Sequence, residues 1–379
     1  MDVLVVNAGS SSVKLRVLDD ADALRWSRNL PAPEHGAERH VFREALAGAL
    51  AEAGADGRRV AAAGHRVVHG GERFTSPVRL DDAPGARDAL GALDALADLA
   101  PLHNPPSLAA IHALRELQPD LPQVACFDTA FHARLPAVAA TYALPRTWRS
   151  EGVRRYGFHG LSHAWASRRA AALLGRPLGS LRLVTAHLGA GASLAAVAGG
   201  RSVDTTMGFT PLEGLVMATR SGTIDPGALL WVQQRAGLSA AEVTDVLEHS
   251  SGLLGLSGVS GDLRVVLERA DAGDVDCVAA YEVYAYRIRT AIGAMVAALG
   301  GLDGLVFTGG AGEASPRLRA DVVRGLAFLG MELDFVANEA HGTDRVISSS
   351  GPGPAVVVVE AREDIEVARA VRALLGAQP

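Results

Sequence analysis

Cysteine is almost missing from this sequence: Cys126 and Cys277 are the only two among 379 residues. That excludes a disulfide framework and a cysteine-built zinc site, and both thiols are expected to be buried apolar residues. No run of about 18 consecutive apolar residues occurs, so neither a spanning helix nor a membrane partner is expected. The opening residues MDVLVV carry no basic lead and no apolar stretch of signal length, which points to a cytoplasmic protein. Charge of one sign is not concentrated either. The net charge of −6 is spread over interspersed acids and bases, without a basic stripe carrying aromatics, so a nucleic-acid partner is not expected. No G-x-x-x-x-G-K-[ST] run and no dinucleotide fingerprint exist, which removes the Walker phosphate loop and the common NAD fold. Lysine is the scarcest ionisable residue: among 36 basic residues Lys14 is the only one. A compositional bias toward arginine accounts for most of this, but a site needing a compact ammonium would resist the replacement.

What is present describes a globular chain. Its length exceeds the roughly 250 to 300 residues that one core supports, so two domains are expected. The hydrophobic fraction of 49% and charged fraction of 21% leave no reason to expect long disorder. Residues 2–7 and 13–18 read as strands around Ala8-Gly9-Ser10-Ser11-Ser12, and residues 183–198 repeat the idea around Leu188-Gly189-Ala190-Gly191-Ala192. The repetition suggests two related domains. A third glycine-rich turn, Thr308 to Glu313, follows the apolar run Leu305-Val306-Phe307 and precedes a helical pattern from Ser315 to Leu326. Helical spacing also marks 41–53, 106–117, 161–174, 239–249 and about 275–299, while 363–375 reads as an amphipathic helix with acids at its positive end. Strands alternating with helices indicate an α/β fold.

Turns of small residues let backbone N–H groups converge on an anion, as a polyphosphate requires, although any one of them could be an ordinary hairpin. Arg66, in HRVVHGG, and Arg220, in ATRSG, lie in strand or turn surroundings, where a planar guanidinium can clamp carboxylate or phosphate; the plain alternative is a solvated arginine. Asp128 stands between aromatics in CFDTAFH and is suited to Mg²⁺, directly or through water. His159 and His163 are four apart and could form a metal pair, but no H-E-x-x-H pattern or third ligand accompanies them. One imidazole donating to phosphoryl oxygens is the better reading.

Longer motifs carry more. VLVVNAGSSSVKL at 3–15, HRVVHGGERF at 65–74, PLHNPP at 101–106, FDTAFH at 127–132, YGFHGLSH at 156–163, DTTMGFTPLEGLVMATRSGTIDPG at 204–227 and SGLLGLSGVSGDLR at 251–264 resemble acetate kinase motifs in order and spacing. The resemblance covers essentially the whole chain. It implies the actin, Hsp70 and sugar kinase (ribonuclease H-like) fold: two duplicated α/β domains around a central cleft, usually as a homodimer. The N-terminal domain would comprise 1–130 plus 363–379, and 131–362 would form the C-terminal domain with the nucleotide site and dimer interface. The implied reaction is reversible transfer from ATP to acetate, giving ADP and acetyl phosphate, with Mg²⁺ or alternatively Mn²⁺.

By the same resemblance Arg66, Asp128, His159 and Arg220 are catalytic, with the two arginines gripping the carboxylate and the migrating phosphoryl group. Asn7, Ser10, Ser12 and Lys14 belong to the first phosphate turn, Lys14 touching nucleotide. His187, Leu188, Gly189, Ala190 and Gly191 form the second. Asp262, Leu263, Arg264, Gly310, Ala311, Gly312, Glu313 and Ala314 complete the nucleotide set, while Asn7, Asp128 and Glu363 would hold the metal. Val68, Leu102, Phe158 and Pro211 would enclose the acetate methyl, Arg66 would complete the substrate site through the carboxylate, and His103 lies beside this pocket. An extra methylene costs only about 1–3 kcal/mol in discrimination, which admits propionate as an alternative acceptor. Three positions depart from the family pattern: Ala190 replaces an asparagine in H-L-G-N-G, Ala314 replaces the asparagine of G-E-N, and Leu263 replaces an aromatic residue. Each loss removes about 1 kcal/mol of nucleotide contact. A donor other than ATP, or a non-catalytic nucleotide- or acyl-phosphate-binding regulator, therefore stand as alternatives.

Overall fold

The computed structural model describes residues 1–9, 12–32, 38–54, 57–80, 86–96, 104–342 and 344–376. Ser10, Leu102 and His103, all expected at the site, lie outside the described residues. The chain divides into two compact units. One comprises Met1–Ala133, Phe158–Trp165 and Arg362–Pro379, the other Arg134–Gly157 and Ala166–Ala361.

The first unit is built on a six-stranded sheet of β1 (Val3–Ala8), β2 (Ser12–Leu18), β3 (Leu24–Pro31), β4 (Ala62–Val67), β5 (Val78–Arg79) and β6 (Gln123–Phe127), in the order β3-β2-β1-β4-β6-β5. β1, β4 and β6 run parallel; β2 pairs antiparallel with β1 and β3, and β5 antiparallel with β6. Both faces are covered. Helices Glu38–Ala53 and Asn104–Leu117 pack on one face, burying Phe42, Leu46 and Leu114 against Leu4, Val6, Val13 and Leu15. The helix Glu363–Gly376 covers the other, where Ile365, Val367, Ala368 and Val371 meet Val3, Val5, Val124 and Cys126. Alternate residues of β1 thus point to opposite cores, as the two-residue period of a strand dictates. Burying each such aliphatic side chain stabilises by roughly 1.5–3 kcal/mol, an upper figure for an extended reference chain.

The second unit repeats the plan strand for strand. Its sheet of β7 (Arg182–Leu188), β8 (Ala192–Ala198), β9 (Arg201–Thr205), β10 (Gly304–Thr308), β11 (Arg345–Val346) and β12 (Ala355–Val358) has the order β11-β12-β10-β7-β8-β9. Again the first three strands form an antiparallel meander, the first continues into two parallel neighbours, and a short antiparallel strand closes the edge. The helix Val275–Leu299 packs on β7, β8 and β9, and is capped by Asp274, whose carboxylate accepts from the N–H groups of Asp276 and Cys277. Such a cap satisfies two of the donors left open at a helix start.

The third glycine-rich segment differs from its expectation as a turn. Gly309–Ala314 is a short helix, followed after Ser315 by a second helix, Pro316–Arg324. Two side chains wind it. Glu313 Oε1 accepts from Gly309 N at 2.8 Å, and the buried Arg319 donates through Nη1 to the carbonyls of Gly312 and Glu313 at 2.9 and 2.7 Å. Both cysteines are buried. Among the described residues no helix is long and apolar enough to cross a membrane.

Candidate functional site

In the first unit the candidate residues gather at the carboxyl ends of the parallel strands, the edge where open α/β sheets bind ligands. Asn7 and Arg66 are register partners on β1 and β4, and Asp128 follows β6 directly, its N–H bonded to Val67 O at 3.1 Å. Arg66 ties the group together. Its Nε donates to Asp128 Oδ1 and Oδ2 at 3.2 and 3.0 Å, its Nη2 to Oδ2 at 2.5 Å, and its Nη1 to Asn7 Oδ1 at 3.2 Å. Glu363, the first residue of the last helix, accepts from Asn7 Nδ2 at 3.3 Å and lies 3.6 Å from Arg66 Nε. The Asp128 side chain is fully buried, and burial pushes its carboxyl up; the charge of Glu363 adds to this and Arg66 opposes it. Removing either partner of a buried pair leaves an uncompensated charge, which costs about 3–5 kcal/mol.

His159 is held beside Asp128 by backbone. It has φ of +57°, one of two non-glycine residues among those described with positive φ, a conformation worth noting where function is expected. The next residue, Gly160, donates its N–H to the Asp128 carbonyl at 3.0 Å. A Cβ on Gly160 would stand 2.0 Å from that oxygen and 2.8 Å from Phe131 Cβ, so only glycine permits this approach. Phe158 and Val68 are both buried, and the ring of His69 meets Phe158 edge-on at 5.4 Å. Gly9 N donates to Ser12 O at 2.9 Å, and Lys14 is exposed on β2 opposite Asn7.

The hard oxygen donors of Asp128, Glu363 and Asn7 fit a magnesium-type cation. Asp128 and Glu363 share the guanidinium of Arg66 at a largely buried place, an arrangement that a further positive charge would balance. Among the described residues no three His, Cys, Asp or Glu side chains could cage a metal. Mg²⁺ suits such a set because it keeps several waters and shares its remaining positions with substrate phosphates.

In the second unit the corresponding sheet edge opens into a cavity of about 820 Å³. Gly189, Ala190, Asp262, Leu263, Arg264, Gly310, Ala311 and Ala314 of the expected nucleotide set line it. His187, Leu188, Gly191, Gly312, Glu313 and, in the first unit, Lys14 do not; Leu188 and Gly312 are buried, and Glu313 braces the short helix through Gly309 N and Ala361 N. Asp262 and Arg264 pair with one another at the rim, Arg264 Nη2 donating to Asp262 Oδ2 at 2.6 Å. All three departures from the family pattern, Ala190, Leu263 and Ala314, face this cavity. Sequence reasoning missed Leu253, Leu267, Tyr284 and Pro316 in its wall; they sit in helices or at helix starts, where a lining residue reads like any core residue.

The loop carrying the buried Pro211 is clamped by a residue that no motif singled out. Arg155 Nη1 donates to the carbonyls of Thr205, Thr206 and Met207 at 3.1, 3.1 and 3.0 Å, and Nη2 to Glu213 Oε1 at 2.8 Å. Tyr142 donates its hydroxyl to the same carboxylate and accepts from Phe209 N at 2.9 Å. Arg220 lies in a loop of this unit and pairs through Nε with Glu248 Oε2 at 2.7 Å.

The chain is 45% identical over 398 residues to an acetate kinase of Deinococcus radiodurans, covering 99% of this chain and 98% of that one. The crystal structure of Porphyromonas gingivalis acetate kinase superposes with a TM-score of 0.88 at 36% identity, covering 99% of each chain. That of a propionate kinase from Francisella tularensis gives 0.87 at 35% identity, covering 97% of this chain and 98% of that one. The family model of the acetokinase family matches residues 28–369. With two duplicated α/β units of the actin and sugar kinase type, the chain belongs to the acetokinase family.

Proposed function

We propose that this protein is a Mg²⁺-dependent acetate kinase, transferring a phosphoryl group reversibly between ATP and acetate to give ADP and acetyl phosphate. The observation that carries the reading is the set of half-buried Arg66, Asn7 and Glu363 around the buried Asp128 at the sheet edge of the first unit. It combines a planar cation for a carboxylate with oxygen donors for a hard cation. Direct in-line transfer needs no general base, because the acceptor is already an anion; the demand is for positioning and for neutralising charge that spreads over the phosphoryl oxygens. Arg66 binds and orients the carboxylate, His159 and Arg220 donate to the phosphoryl oxygens, and Val68, Phe158 and Pro211 hold the methyl group and exclude water. Asp128, Glu363 and Asn7 would hold Mg²⁺, which when bound neutralises phosphate charge. ATP takes the 820 Å³ cavity of the second unit, within the range usual for small-molecule sites. The protein acts as a cytoplasmic homodimer.

A second reading within the same chemistry is favoured by Ala190, Leu263 and Ala314, which give the cavity wall methyl groups where family members have amides and an aromatic ring. A donor other than ATP would meet the same phosphate-binding edge. Incubation with Mg²⁺, hydroxylamine, acids of two to four carbons, and ATP, GTP or pyrophosphate decides both points. Acetyl hydroxamate with ATP is expected, and folded protein that yields none with any acid or donor would refute a kinase. Arg66→Ala and Arg220→Ala should each cost at least about a hundredfold in rate, as loss of one preorganised transition-state donor does. A loss of tenfold or less would remove that arginine from the clamp.

A further inference from the structure

The geometry points to Glu248 as a positioning residue that sets the orientation of the Arg220 guanidinium for phosphoryl transfer. The inference rests on the reading of Arg220 given under Proposed function. In the helix Ala240–His249 the one buried side chain is not aliphatic but this carboxylate, 8% exposed, while Val246 stands 46% exposed. A carboxylate withdrawn from water is costly unless it is paired, and its partner is Arg220 Nε at 2.7 Å. A bond at Nε fixes the rotation of the guanidinium plane, which decides where the two terminal nitrogens point.

The backbone supports the same alignment on both sides of Arg220. Thr219 Oγ1 donates to Glu248 O at 2.7 Å, Ser221 N to Leu247 O at 3.1 Å, and Ser251 N to Thr219 O at 2.9 Å. Gly252, at φ +63°, lets the returning chain pass so close that a Cβ there would stand 2.3 Å from Met217 O and 2.8 Å from Arg220 O. The loop is thus fastened residue by residue to the end of the helix that carries Glu248. Fixing a donor within a fraction of an ångström matters because a misplacement of about 1 Å can cost a hundredfold in rate.

The test compares Glu248→Gln, Arg220→Ala and the double variant in the full-length protein, measuring kcat, KM for ATP and acetate, and the thermal midpoint. Glu248→Gln keeps size and an accepting oxygen but loses the charge, so kcat should fall by about tenfold to a hundredfold with KM for ATP changed less than about twofold. In the Arg220→Ala background the same change should add nothing, since residues acting as a unit are not additive. If Glu248→Gln only lowers the thermal midpoint and leaves kcat within about twofold while Arg220→Ala loses a hundredfold, the pair is structural and the inference is wrong, though the clamp stands. A full-sized further loss in the double variant would equally overturn it. A mild effect of Arg220→Ala itself would instead overturn the clamp, and the inference with it. Should Glu248→Gln not fold, the ¹⁵Nε–H signal of Arg220 in the unaltered protein, assigned by its loss in Arg220→Lys, decides: slow solvent exchange is expected, and exchange as fast as that of surface arginines refutes the pairing.

Discussion

His65 and Arg66 are neighbours on β4, so alternation along the strand sends their side chains to opposite faces of the sheet, Arg66 to the one that carries Glu363. His65 is buried with Nε2 against Gln123 Oε1 at 2.8 Å, and burial pulls its pKa down to about 4. The folded chain therefore holds this imidazole neutral, whereas the unfolded chain protonates it near 6.5. Its contribution is fully present above pH 6.5, is lost as pH falls from there to about 4, and changes no further below that. The loss amounts to roughly 3 kcal/mol. Denaturant unfolding of the native protein and of His65→Leu across pH 4–7 should show a steeper loss in the native protein; parallel curves would mean that His65 titrates alike in both states. Legibility at this scale followed locality. Arg66, Asp128 and His159 lie in motifs whose residue types suggest their chemistry, whereas Arg155 and Glu248 act through contacts with segments distant in sequence, Arg319 binds backbone carbonyls that carry no residue signature, and nothing in their flanks separates the three from surface ions.

At the scale of elements, the start of the helix at Gly160 and the end of β6 are joined at a point with no spare room. Gly160→Ala places a methyl group against the Asp128 carbonyl, and the helix must retreat or Asp128 must move away from Arg66. Overpacking of this kind costs about 1–3 kcal/mol. A fall in thermal midpoint together with at least a tenfold loss in kcat is expected; full activity in a stable variant would mean that His159 does not depend on this junction. The helices at 239–249, 275–299 and 363–375 were readable because one apolar stripe recurs at three and four residues. The short helix Gly309–Ala314 was not, because its composition denotes a turn and its winding comes from Glu313 and from Arg319 in the next helix. Local propensity loses there to a tertiary cap.

At the scale of the whole molecule, the duplication seen in two glycine hairpins extends to all six strands of each sheet. Only the hairpins were readable as a repeat. β6, β10 and β12 are almost wholly buried and rich in apolar residues, which look alike in any parallel sheet, and β4 adds His65 and Arg66 to its small apolar positions, so none of the four identifies a particular partner. The two copies have diverged in what their matching edges carry: a charged cluster around Arg66 in one, and in the other a cavity walled mainly by small and apolar residues, with Asp262, Arg264 and Arg317 also in its lining.

Lys14 stands exposed on β2 opposite Asn7, and every other basic side chain in the molecule is a guanidinium or an imidazole. An amine-directed reagent acting on these 379 residues therefore has two targets, this ammonium and an α-amino group. Intact mass spectrometry after mild acylation should report two additions, and saturating Mg-ATP should slow the one at Lys14 while sparing the terminus as an internal clock; equal rates with and without nucleotide would separate Lys14 from the phosphates. A protein so poor in primary amines thus serves as its own footprinting probe, reporting the occupancy of a single turn without any engineered label.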